Sequence, residues 1–157
     1  MYIIFDVGGS KTRVAGSRDL KTCITPVVYE TPQDATKGIS LLVAAARDIA
    51  GAEKIDAVVG GIAGPVDPTT GTLVKAPNLP DWAGKPIREL LKNELGRLTY
   101  VLNDAACAGL GEARFGAGRG RNIVAYMTVS TGVGGARIVN GAIDEASLGF
   151  EPGHQII

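Results

Sequence analysis

Apolar positions along the chain repeat with two periods. Tyr2 to Val7 is a short run of β-forming residues closed by Gly8-Gly9. Lys11-Thr12-Arg13-Val14-Ala15 follows, so the pattern predicts a strand, a tight turn and a second strand. Gly16-Ser17-Arg18-Asp19 turns the chain again, and a third strand is expected over Ile24 to Tyr29. Thr31-Pro32-Gln33-Asp34 has the signature of a helix start, with a capping Thr, Pro at the first position and an acid three residues after the cap. In the helix that follows, Ile39, Leu42, Val43, Ala46 and Ile49 recur at helical spacing and Gly51 marks the end.

Ile55 to Val59 reads as the next buried strand, ending in Gly60-Gly61-Ile62-Ala63-Gly64-Pro65-Val66-Asp67, where backbone is expected to approach a neighbour closely. Asp81 to Pro86 introduces a helix carrying Ile87, Leu90, Leu91 and Leu95, stopped by Gly96. Leu98 to Leu102 is a further strand, and Asn103-Asp104 opens a helix through Phe115. This alternation predicts a mixed α/β sheet layered by helices. Gly116-Ala117-Gly118-Arg119-Gly120 is the expected boundary, dividing an N-terminal lobe, 1–118, from the start of a second lobe, 119–157. In that second part Asn122 to Val129 is β-rich, Gly132-Val133-Gly134-Gly135 is expected to turn, and Ala136 to Val139 returns before Asn140-Gly141. Val7-Gly8-Gly9 with Arg13 to Gly16, set beside Val133-Gly134-Gly135 with Arg137 to Gly141, forms a weak internal repeat, so each unit is expected to open with the same hairpin. A second unit matching the first would need more residues than follow Arg121, so the chain is expected to be the first part of a longer protein.

A length of 157 residues suits one domain, or one domain plus a piece of another. Sixteen Lys and Arg balance sixteen Asp and Glu, which removes the one-signed field of a nucleic-acid or membrane-surface binder, and neither partner is expected. Apolar residues at 45% and charged residues at 20% are enough to bury a core, while no apolar run is long enough to span a bilayer. Cys23 and Cys107 share no metal or redox spacing, and Met1 runs into Tyr2-Ile3-Ile4-Phe5 without a basic leader, so a reducing cytoplasm is the expected location.

The glycine hairpins match neither the P-loop nor the dinucleotide fingerprint. Successive backbone N–H groups without side chains can instead line a concavity for phosphate oxygens, with Lys11 adding charge and Asp6 suited to Mg²⁺ or its waters. An ordinary hairpin with a solvated Lys and a turn-forming Asp is the alternative. Gly9 and Gly134 are expected to exclude a Cβ, through positive φ or close approach to an anion.

Six segments in order carry a resemblance: Asp6-Val7-Gly8-Gly9-Ser10-Lys11, Gly64-Pro65-Val66-Asp67, Asn78-Leu79-Pro80-Asp81-Trp82, Leu102-Asn103-Asp104-Ala105, Ser130-Thr131-Gly132-Val133-Gly134-Gly135 and Glu151-Pro152-Gly153-His154. Together they resemble the signature of ROK-family sugar kinases, particularly the glucokinase branch. The resemblance implies an actin-like, ribonuclease-H-like fold of two lobes in which ATP and a hexose meet in the cleft between them. It implies that Gly8, Gly9, Ser10 and Lys11 take phosphate oxygens, that Ser130, Thr131, Gly132 and Gly134 form a second phosphate loop, and that Asp6 approaches Mg²⁺. Sugar hydroxyls would be held by Asn78, Asn103, Asp104, Glu151 and His154, with Asp104 the catalytic base. In the family the matching His often also ligates a structural Zn²⁺ with cysteines of a later loop, so His154 is a zinc candidate in a longer protein.

Hydroxyls both donate and accept, so a sugar site needs carboxylates and amides in a fixed array, and these residues supply that mixture. Asp104, at a strand-to-helix junction, sits where the helix dipole favours the ionised form, as base or as N-cap. Asn103 serves as cap or as sugar ligand, and Trp82 borders the sugar or packs beneath the loop. The expected activity is phosphorylation of the 6-hydroxyl of a hexose, glucose first, by a homodimer. An N-acetylhexosamine kinase and a non-catalytic sugar-binding sensor are the alternatives, and the 157-residue chain alone is expected to be inactive.

Overall fold

A computed structural model describes residues 1–129 and 133–144, and the chain divides into two compact units after Asp104. The first contains strands β1 (Tyr2–Val7), β2 (Lys11–Ser17) and β3 (Val27–Glu30), helix α1 (Ala35–Ala50), strand β4 (Ala57–Ile62), helix α2 (Ile87–Leu95) and strand β5 (Leu98–Asn103). The sheet order is β3-β2-β1-β4-β5. β2 lies antiparallel to both β1 and β3, whereas β4 runs parallel to β1 and to β5. This is the expected mixed sheet of an actin-like first lobe.

Alternation along β1 buries Ile3, Phe5 and Val7 on one face, and the register places Val14, Val58, Ile62 and Val101 beside them. Ile39, Leu42, Val43 and Ala46 of α1 join the same core with Ile87 and Leu91 of α2, so the predicted helical faces are the buried ones. Gly96 ends α2 in the left-handed region, φ 63°, where its N–H bonds the Lys92 carbonyl.

Three local expectations shift. The third strand shortens to Val27–Glu30, and ahead of it Asp19 gathers the chain around its carboxylate, accepting from the N–H groups of Lys21 (2.9 Å) and Thr22 (2.8 Å). Those bonds, Thr22's first and Lys21's second, hold the Asp19 carboxyl down at about 2. Thr31 does not cap α1. Asp34 does, its Oδ1 accepting from the Lys37 N–H at 2.7 Å, while Thr31 is buried and faces the first hairpin. β4 runs on through Gly60-Gly61 because β1 keeps pairing with it, and the close neighbour of Gly60 is the carbonyl and ring of Phe5.

The second unit contains helix α3 (Asp104–Phe115, whose first residue counts with the first unit) and an antiparallel sheet of β6 (Ile123–Val129), β7 (Val133–Val139) and β8 (Ala142–Ile143). α3 packs on this sheet because its small buried positions, Ala105, Gly109 and Ala113, admit it. A Cβ on Gly109 would stand 3.0 Å from that of Tyr126 and 3.1 Å from that of Ala136. The hairpin therefore has a helix over one face. Asn140 and Gly141, both at positive φ, make the tight turn into β8. The internal repeat does not hold residue by residue. Gly8-Gly9 end a strand in a turn, whereas Gly134 and Gly135 lie inside β7, opposite Thr128 and Met127.

Candidate active site

β1, β4 and β5 are parallel, so their carboxyl ends, Val7, Ile62 and Asn103, lie along one edge of the first unit, the edge where open α/β sheets bind ligands. Three connections leave from it. After β1 comes the hairpin, closed by the Gly8 N–H on the Lys11 carbonyl at 2.9 Å. Ser10 and Lys11 are exposed, and among the described residues the N–H groups of Gly9 and Ser10 have no acceptor, leaving two adjacent donors for an anion. Neither Gly8 nor Gly9 adopts positive φ. What excludes a Cβ at Gly9 is Asn78: the added carbon would lie 2.7 Å from the Asn78 Cβ.

Asn78 lies on the long connection after β4, exposed on a turn between buried Ala76 and Leu79, with the Leu79 N–H bonded to the Ala76 carbonyl at 3.0 Å. Earlier in this connection Asp67 is structural. Its Oδ1 accepts from the N–H groups of Thr69 and Thr70, both at 2.8 Å, and the Thr70 bond foremost holds its carboxyl below the usual range. Trp82 is 1% exposed, lies on Gly38 and donates its indole N–H to the Pro32 carbonyl at 2.9 Å, so it packs beneath the loop rather than bordering a ligand.

The third connection is the strand-to-helix junction itself. The Asn103 amide donates to the Gly64 carbonyl at 3.0 Å and to Asp104 Oδ1 at 3.1 Å, tying the end of β5 to the loop after β4 and orienting the half-buried carboxylate. Asp104 opens α3, where the helix dipole favours negative charge.

Asp6 stands one row before the hairpin on the opposite face from Val7, half exposed, with Arg13 Nη1 2.9 Å from its Oδ2. Among the described residues no three His, Cys, Asp or Glu side chains cluster as a metal site. A lone accessible carboxylate fits a Mg²⁺ that arrives on phosphate oxygens and keeps its waters, not one caged by protein. Arg13 then shares or yields that carboxylate. Gly134 does not adopt positive φ, and a Cβ there would meet Thr128 at 3.4 Å and Ala105 at 3.5 Å, so among the described residues no protein atom excludes one. Ser130, Thr131, Gly132, Glu151 and His154 lie outside the described residues, as does any zinc site that His154 would build.

Residues 2–157 match the sequence profile of the ROK family. The chain belongs to the ROK family. Among its ROK relatives, the glucokinase of Streptomyces coelicolor is 30% identical over 95% of this chain and 47% of its own length. The N-acetyl-D-glucosamine kinase of Vibrio cholerae is 31% identical over 91% of this chain and 48% of its own. The solved ROK glucokinase of Streptomyces griseus, in complex with glucose and AMPPNP, superposes with a TM-score of 0.88 at 30% identity, covering 99% of this chain and 50% of that one. The chain thus spans about half the length of the relatives it matches. No helix among the described residues is long and apolar enough to cross a membrane.

Two features of this ROK site escape a residue-by-residue reading. Arg13 is the counterion of Asp6, a pairing signalled only by the cross-strand register. The hydroxyls of Thr12 and Thr31 meet beneath the hairpin at 2.9 Å, and a Thr on the buried face of a strand is the one hint that the sequence offers.

Proposed function

We propose that the chain is the first part of a kinase that transfers the γ-phosphoryl group of ATP to the 6-hydroxyl of a hexose. Glucose is the first substrate to test and an N-acetylhexosamine the second. The observation that carries this reading is the contact between Gly9 and Asn78, which sets the unpaired hairpin amides directly beside an amide side chain suited to a sugar hydroxyl. The relatives support both sugars, one being a glucokinase and one an N-acetyl-D-glucosamine kinase. The S. griseus enzyme was solved with glucose and AMPPNP together.

In this reading the amides of Gly9 and Ser10, with Lys11, hold phosphate oxygens by charge-assisted hydrogen bonds. Asp6 holds Mg²⁺, which when bound neutralises charge on the transferring phosphoryl group. Asn78 and Asn103 orient the sugar, and an oxygen of the Asp104 carboxylate accepts the proton of the attacking hydroxyl. The base must be aligned with the hydroxyl as well as able to take its proton, and the Asn103 bond to Asp104 Oδ1 supplies alignment. Ser130, Thr131, Gly132, Glu151 and His154 complete the proposed phosphate and sugar contacts.

The test is Asp104→Asn in the full-length protein. Asn keeps a hydrogen bond to the hydroxyl but cannot take its proton, so turnover should vanish while sugar affinity stays within about 1.4 kcal/mol. A variant keeping more than a tenth of the parent's turnover removes Asp104 from the role. Comparing kcat/KM for glucose and N-acetylglucosamine decides between the two substrates.

A further inference from the structure

Thr31 bonds the first hairpin twice. Its N–H donates to the Ser10 carbonyl at 3.0 Å, and its hydroxyl donates to the Gly8 carbonyl at 2.8 Å. With that proton committed, the contact of 2.9 Å between the Thr31 and Thr12 hydroxyls is donated by Thr12. Thr12 is 2% exposed and Thr31 7%, so the bond between their hydroxyls is buried and the bond to Gly8 partly so, where such geometry is hard to exchange for solvent. A trans peptide points its C=O and its following N–H in opposite directions. Holding the Gly8 carbonyl inward on Thr31 therefore turns the Gly9 N–H outward. That is one of the two hairpin donors with no acceptor among the described residues.

We propose that Thr31, supported by Thr12, is a positioning residue for phosphate. By holding the Gly8–Gly9 peptide plane it presents the Gly9 amide to a phosphate oxygen before any anion arrives. The inference rests on the assignment of the hairpin to phosphate above and adds the group that preorganises it. Without the Thr31 hydroxyl this peptide can rotate, and its carbonyl, which repels an anion, can take the place of the N–H. Preorganised donors lose this advantage when they must reorient on binding.

The experiment follows the Gly9 and Ser10 amide resonances of the 157-residue chain during titration with inorganic tripolyphosphate, for the parent chain and for Thr31→Val, Thr31→Ser and Thr12→Val. In the parent chain the Gly9 amide should move downfield and saturate. Thr31→Val, which keeps shape and loses the hydroxyl, should weaken binding about tenfold, Thr12→Val by less, and Thr31→Ser, which restores the donor, by no more than about twofold. In the full-length kinase Thr31→Val should raise KM for ATP by a similar factor and leave KM for sugar nearly unchanged, a split that general loosening of the fold would not produce. If Thr31→Val binds tripolyphosphate like the parent chain while Gly9 still responds, the positioning role is overturned and the phosphate hairpin stands. If neither amide of the parent chain responds, both fail. Should Thr31→Val lose its folded spectrum, Thr12→Val decides in its place, and parent-like binding there overturns the proposal.

Discussion

Gly9→Ala adds one carbon where there is no room for it. Non-bonded carbons rest about 3.5–4.0 Å apart, so a Cβ at 2.7 Å from that of Asn78 forces a displacement of roughly 1 Å. The hairpin is the stiffer partner, held by the Gly8–Lys11 bond and by both groups of Thr31, whereas the Asn78 turn is closed by the Leu79–Ala76 bond. The Asn78 turn should therefore yield. Overpacking of this size costs about 1–3 kcal/mol of stability. Shifting a substrate-orienting amide by an ångström costs on the order of a hundredfold in kcat/KM. The sugar constants of the full-length enzyme should then suffer more than those of ATP, the reverse of what a glycine reserved for phosphate alone predicts. Urea unfolding of the chain in a double-mutant cycle isolates the contact, because Asn78→Gly removes the opposing carbon. In that background Gly9→Ala should cost less than about 0.5 kcal/mol. An equal cost in both backgrounds would refute the reasoning, since the carbon would then be clashing with something other than Asn78.

Three further outcomes can be checked on the chain itself. Among the described residues the Tyr29 hydroxyl is buried without a partner, and burial pushes it up to about 12. Tyr29→Phe should gain about 1 kcal/mol in denaturant unfolding and abolish the stability loss that the raised hydroxyl causes as pH climbs from about 10 towards 12. Gly38→Ala improves helix propensity by up to about 1 kcal/mol but drives a methyl into the Trp82 ring, so circular dichroism should show net destabilisation, overpacking outweighing propensity. Asp19, held down by N–H bonds of the folded loop, supports that loop above the unfolded carboxyl value of about 4. Its support is lost as pH falls towards 2, and a carbon-detected titration midpoint near 4 would contradict the bonds to Thr22 and Lys21.

Elements set by local rhythm were legible in the sequence. The bounds of β1, the buried face of α1 and the Gly96 stop of α2 all follow from spacing within a few residues. Misplacements occurred where a distant partner decides. Thr31 and Asp34 are both good caps, three residues apart, and only the hairpin's need for the Thr31 hydroxyl selects Asp34. Gly60-Gly61 resembles a loop until Phe5 is placed beside it. The packing of α3 on the second sheet has no local signal, since its buried residues are small and mark no strong apolar face. The site divides the same way. Asp104 at a strand-to-helix junction could be read directly, but the approach of Gly9 to Asn78 joins two connections far apart in sequence, and no local pattern encodes it.

Trp82 is the sole tryptophan of the chain, and it is sealed in the first unit with its indole bonded to Pro32. Selective excitation of indole emission is thus blind to the second unit and reports the first alone, from the 3-10 turn at Pro80–Trp82 that directly follows the Asn78 loop. The far-ultraviolet signal arises from the backbone of both units together. Two optical channels, recorded on one unmodified sample during one melt, therefore compare the first unit with the whole chain without a label. An indole transition displaced from the backbone transition would show that the first unit unfolds apart from the rest, and coincidence would be the behaviour of one cooperative body.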